Sequence, residues 1–373
     1  MKIAVNCRFV IENKMEGIGF FSYEMTKRMV EAHPEVEFHL LFDRTPPPFS
    51  FVKNVTTAVL FPPARHPFLW WWWFEGSVTR YLRNHAIDLF LSHDGFVPLR
   101  SKVPTVAVQH DIAFEHYPGH VGWLPRNYYR YYVPRFLKHA ARIATVSEFS
   151  KNDMVANYGV EASKIDVVYN APQPGFGPAT PDEKQKTRVA FTQSRPYFFY
   201  VGSINPRKNL ANMLRAFEVF KSQMNSDMQF VIGGAMGWQN SELQEVLKQM
   251  QHRDAVIFTG RLSAEAISRL MAAATAFLYV SLFEGFGVPP LEAMSAGVPV
   301  ITSNVSSLPE VCGDAALYAN PQSVQEIAKA MQRITGEKNL AETLVSKGFE
   351  QTVQFSLGRS AALLWESVRK ALG

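Results

Sequence analysis

Two cysteines, Cys7 and Cys312, are all that the 373-residue chain carries. They lie near opposite ends of the sequence, which excludes a disulfide framework and fits a reducing, cytoplasmic compartment. Long apolar runs are missing as well. The run from 68 to 74 is seven residues, far short of the roughly 20 that span a bilayer. Near the start, Asn6 and Arg8 interrupt the apolar residues and leave no core for a secretory signal. Charge of one sign is scarce too: 38 Lys and Arg stand against 33 Asp and Glu, and a net +5 gives no nucleic-acid footprint. No Asp-x-Asp pair occurs and the ten histidines show no metal-ligand spacing, so neither a metal nor another cofactor is expected.

What remains is an ordinary globular composition, 47% hydrophobic and 19% charged, in a chain long enough for two domains. Short apolar runs rich in β-branched and aromatic residues alternate with longer helical patterns. In the first half the runs predict strands over 3–9, 37–42, 88–92, 105–110, 142–147 and 165–170. In the second half they fall over 197–203, 229–233, 255–260, 276–281 and 298–303. Continuous apolar runs are the mark of strands covered on both faces, hence of parallel sheets with crossover helices. The series occurs twice, and between the two lies Ala171-Pro172-Gln173-Pro174-Gly175-Phe176-Gly177-Pro178, followed by a polar stretch to Arg195. The expected domains are therefore 1–172 and 196–354, with 173–195 as a linker. The fold class is α/β, two doubly wound domains facing each other across a cleft that lies beyond the carboxyl ends of the strands.

The chemistry concentrates in the second half. Tyr200-Val201-Gly202-Ser203-Ile204-Asn205-Pro206-Arg207-Lys208-Asn209 reads as a strand entering a turn and then a helix to about 220. A glycine, free helix amides and two adjacent cations make a cradle for a diphosphate, although an Arg-Lys pair opening a helix is often only solvated surface. Farther on, Glu284-Gly285-Phe286-Gly287-Val288-Pro289-Pro290-Leu291-Glu292 puts a glycine-rich turn before a short helix over 289–296. Two carboxylates flanking an amide-rich turn suit the hydroxyls of a ligand that carries a phosphate between two sugars, since a carboxylate accepts from a vicinal diol through both oxygens. The plainer reading makes Glu292 a charge favoured by the helix dipole and Glu284 a surface residue.

These residues, with Ser306-Ser307-Leu308-Pro309-Glu310-Val311, resemble the retaining glycosyltransferases of family 4, which have the GT-B architecture of two Rossmann-like domains. The likeness extends to Gly17-Ile18-Gly19, His110-Asp111, Val146-Ser147-Glu148-Phe149-Ser150 and Val168-Tyr169-Asn170, so it covers nearly the whole chain. Two departures stand out. Ala171 replaces a frequent glycine, and Phe20-Phe21 follows Gly19 where many relatives carry a polar or basic residue. The Gly17-Ile18-Gly19 loop, Gly237-Trp238 and the run from Ser306 to Glu310 look most like bacterial mannosyl- and rhamnosyltransferases of surface-polysaccharide assembly.

The resemblance implies that Arg207 and Lys208 hold a donor diphosphate beside Gly202. Glu284 would bind the donor sugar with Gly285, Phe286 and Gly287 around it, and Glu292 the ribose diol. Gly17 and Gly19 would approach phosphate and acceptor, and His110 would lie near the reacting carbon. The catalytic set is then His110, Arg207, Lys208 and Glu284. The implied reaction moves a hexose from a nucleotide-diphosphate sugar to a hydroxyl of a glycan or lipid-linked acceptor, with retention and without metal. GDP-mannose is the favoured donor, with a UDP-hexose as second choice. The resemblance also implies that 355–373 crosses back onto the first domain. Another GT-B enzyme, an epimerase or a phosphorylase, and a non-catalytic nucleotide-sugar-binding protein remain as alternatives.

Two other signals weigh less. Val231-Ile232-Gly233-Gly234-Ala235-Met236-Gly237 imitates a dinucleotide loop but lacks the full glycine spacing and a following acidic residue. Trp70, Trp71, Trp72 and Trp73 point all round a helix axis, and the aromatics of 126–136 are interleaved with Arg. Most of this is expected to be packing, with contact to a membrane surface on the inner face of the cell as the second reading.

Overall fold

The computed structural model describes residues 1–11, 17–46, 54–234 and 241–373. The Ala235–Gly237 part of the dinucleotide-like loop and the Gly237-Trp238 pair lie outside them. The chain divides into two compact units, Met1–Asn170 with Leu357–Gly373, and Ala171–Ser356.

The first unit is built on seven parallel strands: β1 (Lys2–Asn6), β2 (Glu37–Phe42), β3 (Val55–Val59), β4 (Leu89–Ser92), β5 (Thr105–Val108), β6 (Arg142–Thr145) and β7 (Ile165–Val167). Their order is β3-β2-β1-β4-β5-β6-β7. Ile3 stands opposite Phe38 on one side and Leu89 on the other. The order reverses between β1 and β4, and crevices for ligands open outside the strand ends at such a point.

The sheet is covered on both faces, which is why its central strands read as unbroken apolar runs. One face packs on helices Ile18–Ala32 and Leu357–Leu372, joining Met25, Met29 and Val30 to Ala361, Leu364 and Val368. The other packs on the helical stretch 67–84 and on helix Trp123–His139 through Trp73, Phe74, Val78, Val133, Phe136 and Leu137. The C-terminal helix is tied further by stacking of Trp365 on His33 at 3.7 Å and by the Lys370–Asp166 pair at 2.7 Å.

The second unit has six parallel strands: β8 (Tyr197–Val201), β9 (Gln229–Gly233), β10 (Val256–Gly260), β11 (Ala276–Tyr279), β12 (Val300–Ser303) and β13 (Ala316–Ala319). Their order is β10-β9-β8-β11-β12-β13, so the reversal falls between β8 and β11. Helix Leu210–Met224 sends Phe217 and Phe220 onto Phe198 of β8.

Two strands escape the sequence reading, β3 and β13, and both are sheet edges. β3 is mostly exposed and carries two threonines, so it lacks the doubly covered apolar signature. Most other strands stop short of their apolar runs, β1 at Asn6 rather than 9, because the chain leaves the sheet before its side chains stop being buried. The stretch 173–195, expected as a linker, contains helix Pro181–Thr192 of the second unit. Its start is a capping box, with Thr180 Oγ1 accepting from Glu183 N and Glu183 Oε2 accepting from Thr180 N at 2.8 Å. Its polar composition is that of a surface helix.

Candidate active site

In the second unit the strand reversal brings two distant segments together. Gly202 follows β8 and donates its N–H to Gly233 O at 3.0 Å. The chain then makes a tight turn over Pro206–Lys208, and Asn209 adopts a left-handed conformation (φ 61°) before helix Leu210–Met224. The Asn209 amide donates to Val280 O at 2.9 Å and Pro321 O at 2.7 Å, which ties that turn to the end of β11. Leu282 N donates to Arg207 O at 2.9 Å from the other side.

Arg207, Lys208 and Glu284 meet in this corner. Lys208 Nζ donates to Glu284 Oε1 and to Tyr279 Oη, both at 2.6 Å. Arg207 Nη1 donates to Phe283 O at 2.7 Å and lies 3.5 Å from Glu284 Oε2. Lys208 and Glu284 are both buried. Burial alone would raise the Glu284 pKa, but the charges of Lys208 and Arg207 outweigh it and hold the carboxyl below its usual range. Serines from the following loop fix the backbone here: Ser306 Oγ accepts from Glu284 N at 3.1 Å, and Ser307 Oγ lies 2.9 Å from Glu284 O and 2.8 Å from Phe286 O.

Gly287 has φ 102° and precedes helix Val288–Ser295; a Cβ there would sit 2.6 Å from Leu308 Cδ2. Only glycine accepts both constraints. The neighbouring Phe286 ring turns onto Phe355 at 5.6 Å. Glu292, on that helix, is buried with Oε1 unpartnered among the described residues. Burial pushes its pKa up to about 7 against the pull of the Gln173 backbone. The two carboxylates of the motif thus differ in state: one is an ion held by two cations, the other exchanges its proton around pH 7. A groove of about 580 Å³ elsewhere in this unit, lined by Lys184, Arg188, Glu342 and Phe349 among others, includes none of these residues.

In the first unit His110 follows β5 and its Nε2 lies 2.9 Å from His93 O. Beside it Asp94 pairs with the buried Arg8 and accepts from Ser92 Oγ and Phe96 N, both at 3.1 Å. Arg8 sits over the rings of Phe96 (4.3 Å) and Phe74 (5.3 Å), so this charge pair is enclosed by aromatic carbon. Gly17 caps helix Ile18–Ala32, whereas a Cβ on Gly19 would lie 2.4 Å from Phe9 O. The second glycine therefore serves the close passage of the chain at Phe9. Ser147 caps helix Glu148–Tyr158 by accepting from Ser150 N at 3.0 Å.

The comparisons with known proteins agree with this architecture. Residues 15–172 match the family model "Glycosyltransferase Family 4", and residues 181–351 match "Glycosyl transferases group 1". The chain is a glycosyltransferase whose two halves match these two families. An O-antigen chain mannosyltransferase B from Escherichia coli is 29% identical over 369 residues, 93% of this glycosyltransferase and 94% of that protein. Among solved structures, the sucrose-phosphate synthase of Thermosynechococcus elongatus superposes with a TM-score of 0.81 at 18% identity, over 99% of this chain and 98% of that one. HepE of Anabaena, in complex with UDP and glucose, gives 0.77 at 17% identity over 99% of each chain. Both show the GT-B fold for this enzyme. Asn209, Tyr279, Ser306 and Ser307 hold the corner together; Asn209, Ser306 and Ser307 lie in the motifs quoted above, whereas Tyr279 reads in sequence only as part of a strand.

Proposed function

We propose that this glycosyltransferase moves mannose from GDP-mannose to a hydroxyl of a glycan or lipid-linked acceptor in polysaccharide assembly, with retention and without a metal ion. The observation that carries the donor chemistry is the Arg207–Lys208–Glu284 cluster at the strand reversal of the second unit. Mannose is supported by the Escherichia coli O-antigen mannosyltransferase, which matches along almost its whole length.

As the sugar–phosphate bond breaks, negative charge grows on the departing diphosphate, and cations fixed in a partly dry corner stabilise it more than water would. Arg207 and Lys208 take that role, with Gly202 giving the diphosphate room. Glu284 receives donor-sugar hydroxyls, Gly285 and Gly287 border the sugar, and Glu292 meets the ribose diol. Attack comes from the face that the diphosphate leaves, and a diphosphate oxygen accepts the proton of the incoming hydroxyl. His110 acts beside the reacting carbon from the acceptor-binding unit. The decisive assay is release of GDP from GDP-mannose with and without acceptor: release only with acceptor supports transfer, while release or epimerised sugar without it favours the other GT-B chemistries. In a thermal-shift screen GDP-mannose should raise Tm more than UDP-hexoses; equal or absent shifts would overturn the donor assignment.

The first unit also offers a surface suited to the inner face of a membrane. No helix among the described residues is long and apolar enough to cross one. The stretches 67–84 and 123–139 cover the same sheet face with their inner sides, and outward they expose Phe68 (67%), Trp72 (60%) and Trp123 (71%). Across both stretches the basic residues are Arg80, Arg83, Arg126, Arg130, Arg135 and Lys138, and the acidic one is Glu75. Glu75 is buried, accepting from the Leu99 and Arg100 amides at 2.7 and 2.9 Å. Aromatics flanked by these cations, of which Arg130 pairs with Glu115 at 3.2 Å, match an anionic lipid surface. Cosedimentation with phosphatidylglycerol vesicles should exceed that with phosphatidylcholine and fall several-fold in Trp72→Ala/Trp123→Ala; equal binding to both would remove this part of the reading.

A further inference from the structure

Phe21 follows the Gly17-Ile18-Gly19 loop on helix Ile18–Ala32, and the donor chemistry leaves it unused. Its ring is buried at the strand ends of the first unit. It meets His110 edge to face, centroids 5.1 Å apart at 85°, and His93 in the same manner at 5.7 Å and 78°. The same helix, Ile18–Ala32, supplies Thr26, whose Oγ1 lies 3.1 Å from His93 Nε2. Gly19 lets this helix pass close to Phe9 O and so sets the depth at which Phe21 reaches the two imidazoles.

The two contacts of His110 constrain different things. A backbone carbonyl only accepts, so the ring nitrogen that faces His93 O, Nε2, must carry a proton. In the neutral imidazole the other nitrogen, Nδ1, then holds a lone pair, and it has no partner among the described residues. Phe21 against the ring restricts its rotation about the side-chain bonds, so the direction of that lone pair is fixed as well as its identity. Around the ring the titratable and charged neighbours are His93, Asp94 and Asp111, with Asp94 already paired to Arg8.

We propose that Phe21 is a positioning residue which, together with the His93 carbonyl, holds His110 in its Nε2–H form and directs Nδ1 to accept a hydrogen bond from a sugar hydroxyl of the substrate. This rests on the reading that His110 stands at the reaction centre. The aromatic ring at position 21 then orients the histidine on which the sugar is aligned.

The test combines a spectroscopic and a kinetic readout on the full chain. In histidine-labelled protein, long-range nitrogen–proton spectra assigned with His110→Gln should show His110 as the neutral Nε2–H form at pH 7. In Phe21→Ala the signal should move to a mixture of tautomers, with its titration rising toward the ordinary histidine range. Turnover of Phe21→Ala should fall about 10- to 100-fold, the scale of a misplaced catalytic group, with the donor KM changed less than about threefold. Phe21→Leu preserves apolar burial, should keep Tm close to wild type and should still lose turnover. In a His110→Ala background the Phe21→Ala effect should shrink below about twofold, as coupled residues require. An unchanged tautomer and rate in Phe21→Ala, or a full loss that persists without His110, would overturn the proposal. Wild-type turnover in His110→Ala would instead overturn the assignment of His110 itself.

Discussion

Lys208 and Glu292 are ionisable groups almost out of reach of water, and their environments predict opposite consequences. Lys208 is matched by Glu284 and Tyr279 at 2.6 Å. Lys208→Met should strand a buried carboxylate with only Arg207 nearby, destabilise the second unit by about 3 kcal/mol and raise the Glu284 pKa. Adding Glu284→Gln should recover most of that loss in chemical denaturation, although neither variant should turn over. Glu292 has no such match. Its carboxyl titrates near 4.5 when unfolded and near 7 when folded, so between these values the folded state binds a proton that the unfolded state has released. Stability should therefore fall as pH rises from about 4.5 to 7, by about 3 kcal/mol in all. In Glu292→Gln that decline should vanish from denaturation curves taken at pH 5 and pH 8. A diol that donates to ionised Glu292 should also bind more tightly above pH 7 than below it.

The helix Val288–Ser295 illustrates how an element carries its site. Prolines at its start and glycine before it are legible in sequence, and the helix lies within a residue of the expected 289–296. The reason glycine is needed is not local: Leu308, 21 positions on in the chain, fills the space a Cβ would take. Gly287→Ala should cost about 2 kcal/mol from strain at positive φ and the clash, and it should weaken nucleotide-sugar binding more than Gly177→Ala, where a Cβ meets nothing within 4 Å. Thermal denaturation and ligand titration of the two variants check this. The four tryptophans divide in the same non-local way. Trp73 is buried and donates to Leu60 O at 3.0 Å, Trp70 stacks on Tyr129 at 5.8 Å, Trp71 lies under Arg100 at 5.0 Å, and Trp72 faces outward. Sequence identifies the run but not which ring faces which way, because a π-helical stretch, Trp72–Val78, shifts the phase of the helix.

At the scale of the molecule, the C-terminal helix completes the core of the first unit. Leu364 and Val368 are fully buried there, each contributing about 1.5–3 kcal/mol of burial. Deleting 357–373 should therefore expose Met25 and Met29 and unfold the first unit before the second. Limited proteolysis should then cut within 1–170 while 171–356 persists. By itself, the sequence determined that the sheets are parallel and doubly covered, since only buried strands carry unbroken apolar runs. It also determined the turn and helix signals around residues 202–210 and 284–296, since these depend on residues adjacent in the chain. Tertiary structure alone decided that Lys208 meets Glu284, 76 positions away, and that Phe21 meets His110. Both contacts form at the carboxyl ends of the sheets, where strand order decides which loops are neighbours. That order comes from the packing of whole crossover units, which no short stretch of residues encodes.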